Sequence, residues 1–247
     1  MEIKNYLDST YLKTPVQAGL SPDENKAVVQ SFIQEAIDEK FKLIMIRPDY
    51  VSLAKEMISA AGSKVLVGTV IGFPEGTYTT QEKLNEAHKA IEDGVDELDF
   101  VCNYKAFQNK EIELVKTEIV QCTQLGLSNH KVVKWIIEVA ALNDQEIVQL
   151  SALIKNTVIA HFKEEYYQDV FVKSSTGFYQ TEAGKPNGAT FPSIIMMLEN
   201  SSPLPVKAAG GVRSYDEAVA MINLGVKRIG TSSAKAIAKG ESTNNNY

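Results

Sequence analysis

Lysine is ordinarily a solvated surface residue, so a lysine set inside strand-like apolar sequence asks for a reason. Two such lysines stand out: Phe171-Val172-Lys173-Ser174-Ser175 and Pro205-Val206-Lys207-Ala208-Ala209. Taken singly, each reads as a strand-end residue whose amine reaches solvent. Taken together they suggest chemistry, because they fall on successive strand candidates and neighbouring strands lie about 4.8 Å apart. If both point inward, two ammonium groups share one cavity. At roughly 6 Å and an effective dielectric near 20 they repel by about 3 kcal/mol, or about two pKa units. Burial acts in the same direction. One amine is then substantially neutral near physiological pH, which is the state a lysine needs to attack a carbonyl and form a Schiff base.

Carboxylates complete the candidate site. In Val95-Asp96-Glu97-Leu98-Asp99-Phe100-Val101 the acidic residues alternate along a strand, and Asp99 lies deepest in the apolar run. An inward Asp99 faces the lysine pair, where it can exchange protons with a substrate hydroxyl, directly or through water, or hold a buried salt bridge to Lys207. The two roles are compatible. Asp8 and Glu138 are further inward candidates, and for Glu138 a structural role is the stronger reading.

Near the chain's end, Gly210-Gly211-Val212-Arg213 and Gly230-Thr231-Ser232-Ser233 combine glycines, hydroxyls and expected helix N-termini, the ingredients of an anion site. Either motif alone is only a turn signal. His88, His130 and His161 do not cluster with acids or thiols and read as surface residues. Trp135, Tyr166 and Tyr167 read as packing or helix-end residues.

The elements that must position these groups are short apolar runs at Tyr6–Ser9, Leu43–Ile46, Val65–Ile71, Glu97–Val101, Val132–Glu138, Val170–Ser174, Pro205–Ala209 and Arg228–Thr231. Such runs suit parallel strands buried on both faces. Between them, Ser21/Glu24, Thr79/Glu82, Asn143/Glu146 and Ser214/Glu217 have capping-box spacing and mark four helix starts. The first leads into an apolar stripe of Val29, Phe32, Ile33, Ala36 and Ile37. Gly94 and Gly225 stand where a helix needs a left-handed residue to stop. Eight strands alternating with helices fit either a closed (β/α)8 barrel or an open doubly wound sheet. No GxGxxG follows the first strand, and the chemical residues sit at the ends of many strands. That distribution predicts the barrel, whose active site gathers at the C-terminal rim and whose phosphate sites follow strands seven and eight.

A chain of 247 residues, 44% hydrophobic, suits one such domain. It is expected over residues 1–240, with a polar tail at 241–247. The net charge of −6 supplies no basic field for nucleic acid or an anionic membrane, though a small anion can still bind a locally basic pocket. Cys102 and Cys122 lack the surroundings of a metal cluster and suit reduced thiols in a cytoplasmic protein. No signal peptide or membrane span is expected.

Leu7-Asp8-Ser9-Thr10-Tyr11-Leu12-Lys13, Thr69-Val70-Ile71-Gly72-Phe73-Pro74, Asp96-Glu97-Leu98-Asp99, the Lys173 run extended through Thr176-Gly177-Phe178, Val206-Lys207-Ala208-Ala209-Gly210-Gly211-Val212-Arg213 and Arg228-Ile229-Gly230-Thr231-Ser232-Ser233 resemble, in order, the strand-end motifs of the deoxyribose-phosphate aldolase family. The resemblance implies a cofactor-independent carbon–carbon lyase acting on 2-deoxyribose 5-phosphate. It implies Lys173 as the Schiff-base residue and Lys207 with Asp99 as the proton relay. Gly177, Gly210, Gly211, Arg213, Gly230, Ser232 and Ser233 would hold the phosphate, with Asp8 and Thr176 in support. It also implies that Tyr247 folds back over the site, as a terminal tyrosine does in some members. A homodimer is a further expectation. Met45, Arg47 and Ser9 depart from the family's usual residues, and residues 147–169 and 179–187 are longer than usual. These departures bear on substrate preference and oligomer contacts more than on chemistry. The rival readings are a Schiff-base aldolase for another phosphosugar and a non-catalytic phosphosugar-binding barrel.

Overall fold

A computed structural model of the chain describes residues 2–182 and 184–241. Strands and helices alternate as β1 (Leu7–Thr10), α1 (Pro15–Ala18), α2 (Pro22–Glu39), β2 (Leu43–Ile46), α3 (Val51–Ala60), β3 (Leu66–Ile71), α4 (Thr80–Glu92) and β4 (Glu97–Val101). There follow α5 (Tyr104–Gln108), α6 (Ile112–Ser128), β5 (Val132–Ile136), α7 (Asp144–His161), β6 (Val170–Lys173), α8 (Phe191–Ser201), β7 (Val206–Ala209), α9 (Tyr215–Leu224), β8 (Arg228–Thr231) and α10 (Ala234–Ala238).

All eight strands pair in parallel and in sequence order, and the pairing of Leu7 with Ile229 joins β1 to β8 and closes the ring. The open-sheet alternative is thereby excluded. Each strand is short and almost wholly buried, because helices cover its outer face and side chains from other strands fill the inner one.

Local sequence explains most element boundaries. The four expected capping boxes form at Ser21, Thr79, Asn143 and Ser214, each with reciprocal side-chain and backbone hydrogen bonds. Two more form at Thr14 with Gln17 and at Thr190 with Ser193. On α2, Val29, Ile33 and Ala36 are buried, with Phe32 and Ile37 packed at the edge of the core. Gly225 ends α9 with φ 119°, and Gly94 follows α4 with φ 91°, both conformations that glycine adopts without strain. The fifth strand stops at Ile136, short of the expected Glu138, because Glu138 turns into the left-handed region at φ 57°.

Register decides which side chains fill the ring. Cross-strand partners Asp99 and Lys134, Ile136 and Lys173, Lys173 and Lys207, and Lys207 and Arg228 place these side chains in the interior. Leu43, Met45 and Val70 make the β2–β3 side apolar, and Gly68 leaves the space that the Met45 methyl occupies. The β4 to β1 side is charged. Outside the ring, Trp135 stacks on Phe100 at 5.3 Å and donates from Nε1 to Thr123, and all three histidines are exposed. Cys102 and Cys122 are buried free thiols. Among the described residues no helix is long and apolar enough to cross a membrane, and no group of acids, histidines and cysteines has metal-binding geometry.

Candidate active site

The C-terminal ends of β6, β7, β8 and β1 enclose a cavity of about 570 Å³, counting its open mouth. Of the residues singled out from sequence, Lys173, Thr176, Gly177, Gly210, Gly211, Arg213, Gly230 and Ser232 line it. Thr10, Leu12, Asn187, Ala209, Val212 and Thr231 complete the wall. Ser233 is not part of the lining; its N–H donates to the Thr231 hydroxyl at 3.0 Å. Tyr247 lies outside the described residues.

Three glycines serve different ends. Gly210 and Gly211 hold φ 78° and 86° at the end of β7, a left-handed pair that turns backbone toward the cavity and that side chains rarely adopt. Gly230 has another job besides lining the mouth: a Cβ there would stand 3.1 Å from Lys207 Cε, so its absence gives the lysine its channel. The lengthened segment 179–187 leads into a backbone clasp, in which the Ala189 N–H donates to the carbonyls of Ala209 and Gly210 at 3.1 and 2.9 Å. Gly188 lies so close to Gly210 that a Cβ would overlap the Gly210 carbonyl. This clasp brings Asn187 into the wall, a consequence of loop geometry that no local motif announces.

Below the cavity floor, charge is concentrated to a degree the sequence reading missed. Asp99 Oδ2 accepts from Lys173 Nζ at 2.9 Å and from Lys207 Nζ at 3.0 Å, so both lysines converge on one oxygen. Its Oδ1 accepts from Lys134 Nζ at 2.6 Å, and Lys134 also pairs with Glu97 at 2.6 Å. Lys207 reaches Asp8 at 2.6 Å, and Arg228 ties Asp8 to Glu97. The expectation of two strand lysines is therefore corrected to three. Lys134 in Val133-Lys134-Trp135 meets the same criterion of apolar flanks and is fully buried. Arg228 and Glu97, noted from sequence only as strand residues, close the network.

The cause of the neutral amine is corrected as well. Repulsion by Lys207 was expected to neutralise Lys173, but burial is the larger cause. It brings the Lys173 amine down to about 8 against the opposing pull of Asp99, with Lys207 adding a smaller push. A charge count shows why this lysine yields. The described floor holds four cations, Lys134, Lys173, Lys207 and Arg228, against three carboxylates, Asp8, Glu97 and Asp99. An unmatched charge in a low-dielectric interior is expensive, so one cation gives up its proton more readily than a free lysine does. Lys173, at 3% exposure, is the one of the three lysines that reaches the cavity, the other two being fully enclosed.

The carboxylates behave as the count requires. Burial would raise Asp99, yet Lys134, Lys173 and Lys207 together hold it well below the usual carboxylate range. Burial likewise opposes ionisation of Asp8 and Glu97, and the surrounding cations win at both. Glu138 lies outside this network. Burial pushes its carboxyl up to about 7 in spite of the hydrogen bonds from Thr176.

Arg47, one of the departures from the family's usual residues, donates from Nε to the Leu12 carbonyl at 2.8 Å and sits 4.8 Å over the Phe73 ring. It thus ties the β1 end to the β3 end beside the mouth. Ser9 is buried on the outer side of β1, and Met45 packs in the apolar half of the interior, so neither touches the cavity.

Fold and site define a class: an α/β barrel whose C-terminal rim offers a buried amine that holds its proton less tightly than a free lysine, beside a wall of glycines and hydroxyls. The family model of the DeoC/LacD family aldolases matches residues 15–239. A deoxyribose-phosphate aldolase of Streptococcus gordonii is 38% identical over all of both chains, and one of Thermococcus kodakarensis is 38% identical over 97% of this chain and 96% of its own. Among solved structures, a tetrameric deoxyribose phosphate aldolase from Aeropyrum pernix superposes with TM-score 0.75 at 28% identity, covering 96% of this chain and 89% of that one. The chain belongs to the DeoC/LacD family of aldolases and is a carbon–carbon lyase.

Proposed function

We propose that this lyase catalyses the reversible cleavage of 2-deoxy-D-ribose 5-phosphate to D-glyceraldehyde 3-phosphate and acetaldehyde, with Lys173 forming the Schiff base. The observation that carries the reading is the position of Lys173: on the cavity wall, with its amine near neutrality and its Nζ fixed by Asp99.

The neutral amine adds to the C1 aldehyde, and loss of water leaves an iminium. A proton then leaves the C3 hydroxyl as the C2–C3 bond breaks, and the bond's electrons flow into the iminium to give an enamine. Asp99 is a weak base while three ammonium groups surround it. Its part is to fix Lys207, which gives a proton to the departing hydroxyl as the iminium forms and, so neutralised, takes the C3 hydroxyl proton through a water; it also balances the iminium's charge. Glyceraldehyde 3-phosphate departs; protonation of the enamine at C2 and hydrolysis of the imine release acetaldehyde and restore the lysine.

The phosphate fits the far side of the cavity, where Gly177, Gly210, Gly211, Arg213, Gly230 and Ser232 stand. Ser233 contributes by bracing Thr231. Binding the distal phosphate holds C1 in register with Lys173 and lowers the entropic part of the barrier. Asp8 and Thr176 act in support, through Lys207 and through the β6 loop. Self-association is a subsidiary proposal, with the tetrameric Aeropyrum pernix relative as its support and the homodimer expected from the sequence as the smaller alternative; sedimentation velocity separates the two.

Incubation with deoxyribose 5-phosphate, reduction with borohydride and peptide mass mapping test the main reading. The expected result is one reduced adduct on Lys173 together with release of acetaldehyde. No adduct, or an adduct confined to another lysine, contradicts it.

A further inference from the structure

We propose that Glu138 is a positioning residue that sets the phosphate end of the site by fixing Thr176 and Gly177. The proposal rests on the aldolase reading above and deepens it.

Just past β5, the chain stays bonded to β6: the Ile137 N–H donates to the Lys173 carbonyl at 3.0 Å and the Val139 N–H to the Ser174 carbonyl at 2.9 Å. Glu138 is held between these two bonds beside Lys173, at φ 57° and ψ 69° and only 1% exposed. A non-glycine residue kept in the left-handed region and fully buried is one whose surroundings over-determine its conformation, a common feature of functional sites.

Its carboxyl reaches over the end of β6. Glu138 Oε2 accepts the Thr176 N–H at 3.1 Å and also the Thr176 hydroxyl in a short bond. The same hydroxyl oxygen accepts the Phe178 N–H at 3.0 Å. Thr176 is thus gripped from three directions, and Gly177, at φ 82°, is the apex of the turn so closed. Thr176 and Gly177 both line the cavity, whereas Glu138 does not. The carboxyl therefore acts on the substrate through the turn.

Its other oxygen, Oε1, is buried without a hydrogen bond of good geometry, although the Ala140 N–H favours the carboxylate's charge. Leaving a buried polar atom unbonded is costly, and such cost is tolerated at positions under a functional constraint. The Tyr104 hydroxyl and the amine of Lys173 are titratable groups that interact with its charge. Burial has raised its carboxyl to about 7, so near neutrality it grips Thr176 both as acid and as carboxylate.

The test separates the two ends of the substrate. Acetaldehyde carries no phosphate, so borohydride trapping of acetaldehyde reads Lys173 alone, whereas KM for deoxyribose 5-phosphate reads the whole site. In Glu138→Ala, KM is expected to rise about tenfold while the trapping rate stays within about threefold of wild type. Glu138→Gln keeps an acceptor for Thr176 and is expected to restore KM to within about threefold. Equal losses in both readouts, an unchanged KM in the alanine variant, or no rescue by glutamine overturns the proposal. Should Glu138→Ala fail to fold, Glu138→Asp draws the carboxyl back from Thr176 by one carbon; the same selective rise in KM is required of it, and its absence is equally decisive. A wild-type protein that neither traps acetaldehyde nor cleaves the sugar phosphate defeats the aldolase reading itself. Wild-type activity with unselective variants defeats this proposal alone.

Discussion

Lys173 differs from the other interior lysines in one respect: it meets the cavity while they are sealed between carboxylates. Replacing it by methionine keeps the shape of the stem and removes the nucleophile. Lys173→Met is expected to lose the borohydride adduct and to cut cleavage by about 10³-fold or more, followed by acetaldehyde release. Lys134→Met asks a different question. It takes the donor from Asp99 Oδ1 and one of the partners of Glu97, and a buried acceptor left unsatisfied costs about 1–3 kcal/mol, readable from denaturant unfolding. The same change removes a positive charge that lowers Lys173, so the amine's titration should move upward.

At the scale of the elements, the clasp between the loop after β6 and the end of β7 depends on a missing side chain. Gly188→Ala would push a methyl into the Gly210 carbonyl and open the wall at Asn187. Overpacking of this kind costs about 1–3 kcal/mol; a lowered melting temperature with a raised KM for the sugar phosphate is expected. Strands, helix starts and strand-end motifs were legible because each is written in local chemistry: apolar runs, a Ser/Thr/Asn followed three residues later by Glu, paired glycines. The limits of local reading show at Glu138 and Asn187. Glu138 looked like one more inward strand residue, but its φ is set by β6 and Thr176, which lie far away in sequence. Asn187 enters the wall only because a long loop folds back onto β7. Lys134 was a different kind of omission, since its apolar flanks are as plain as those of Lys173. What local sequence does not disclose is its pairing with Glu97 and Asp99, which requires knowing the register of β5 against β4.

For the whole molecule, the ionic floor couples folding to pH. Asp8, Glu97 and Asp99 are all depressed in the folded state, so the unfolded chain binds more protons in acid. Their contribution is fully present above the ordinary carboxylate values of about 4 and is lost as pH falls through the folded ones. With three groups acting together, stability should fall by up to about 4 kcal/mol per pH unit once the pH is below those ordinary values. Denaturant midpoints measured from pH 6 to pH 3 give the slope. Glu138, raised to about 7, has the opposite sign: between about pH 4 and pH 7 the unfolded chain gives up this proton while the folded one keeps it, so its contribution to stability falls across that window.

The same excess of cations over carboxylates that makes the floor sensitive to acid leaves Lys173 ready to react. Its titration in the intact enzyme can be followed as the rate of reductive labelling by acetaldehyde and cyanoborohydride at each pH, corrected for the reagent's own pH dependence, with the product mapped to Lys173. The account predicts a labelling curve that rises through a midpoint near 8, where burial and charge place the amine. A midpoint near 10.5, the ordinary value for lysine, would contradict it.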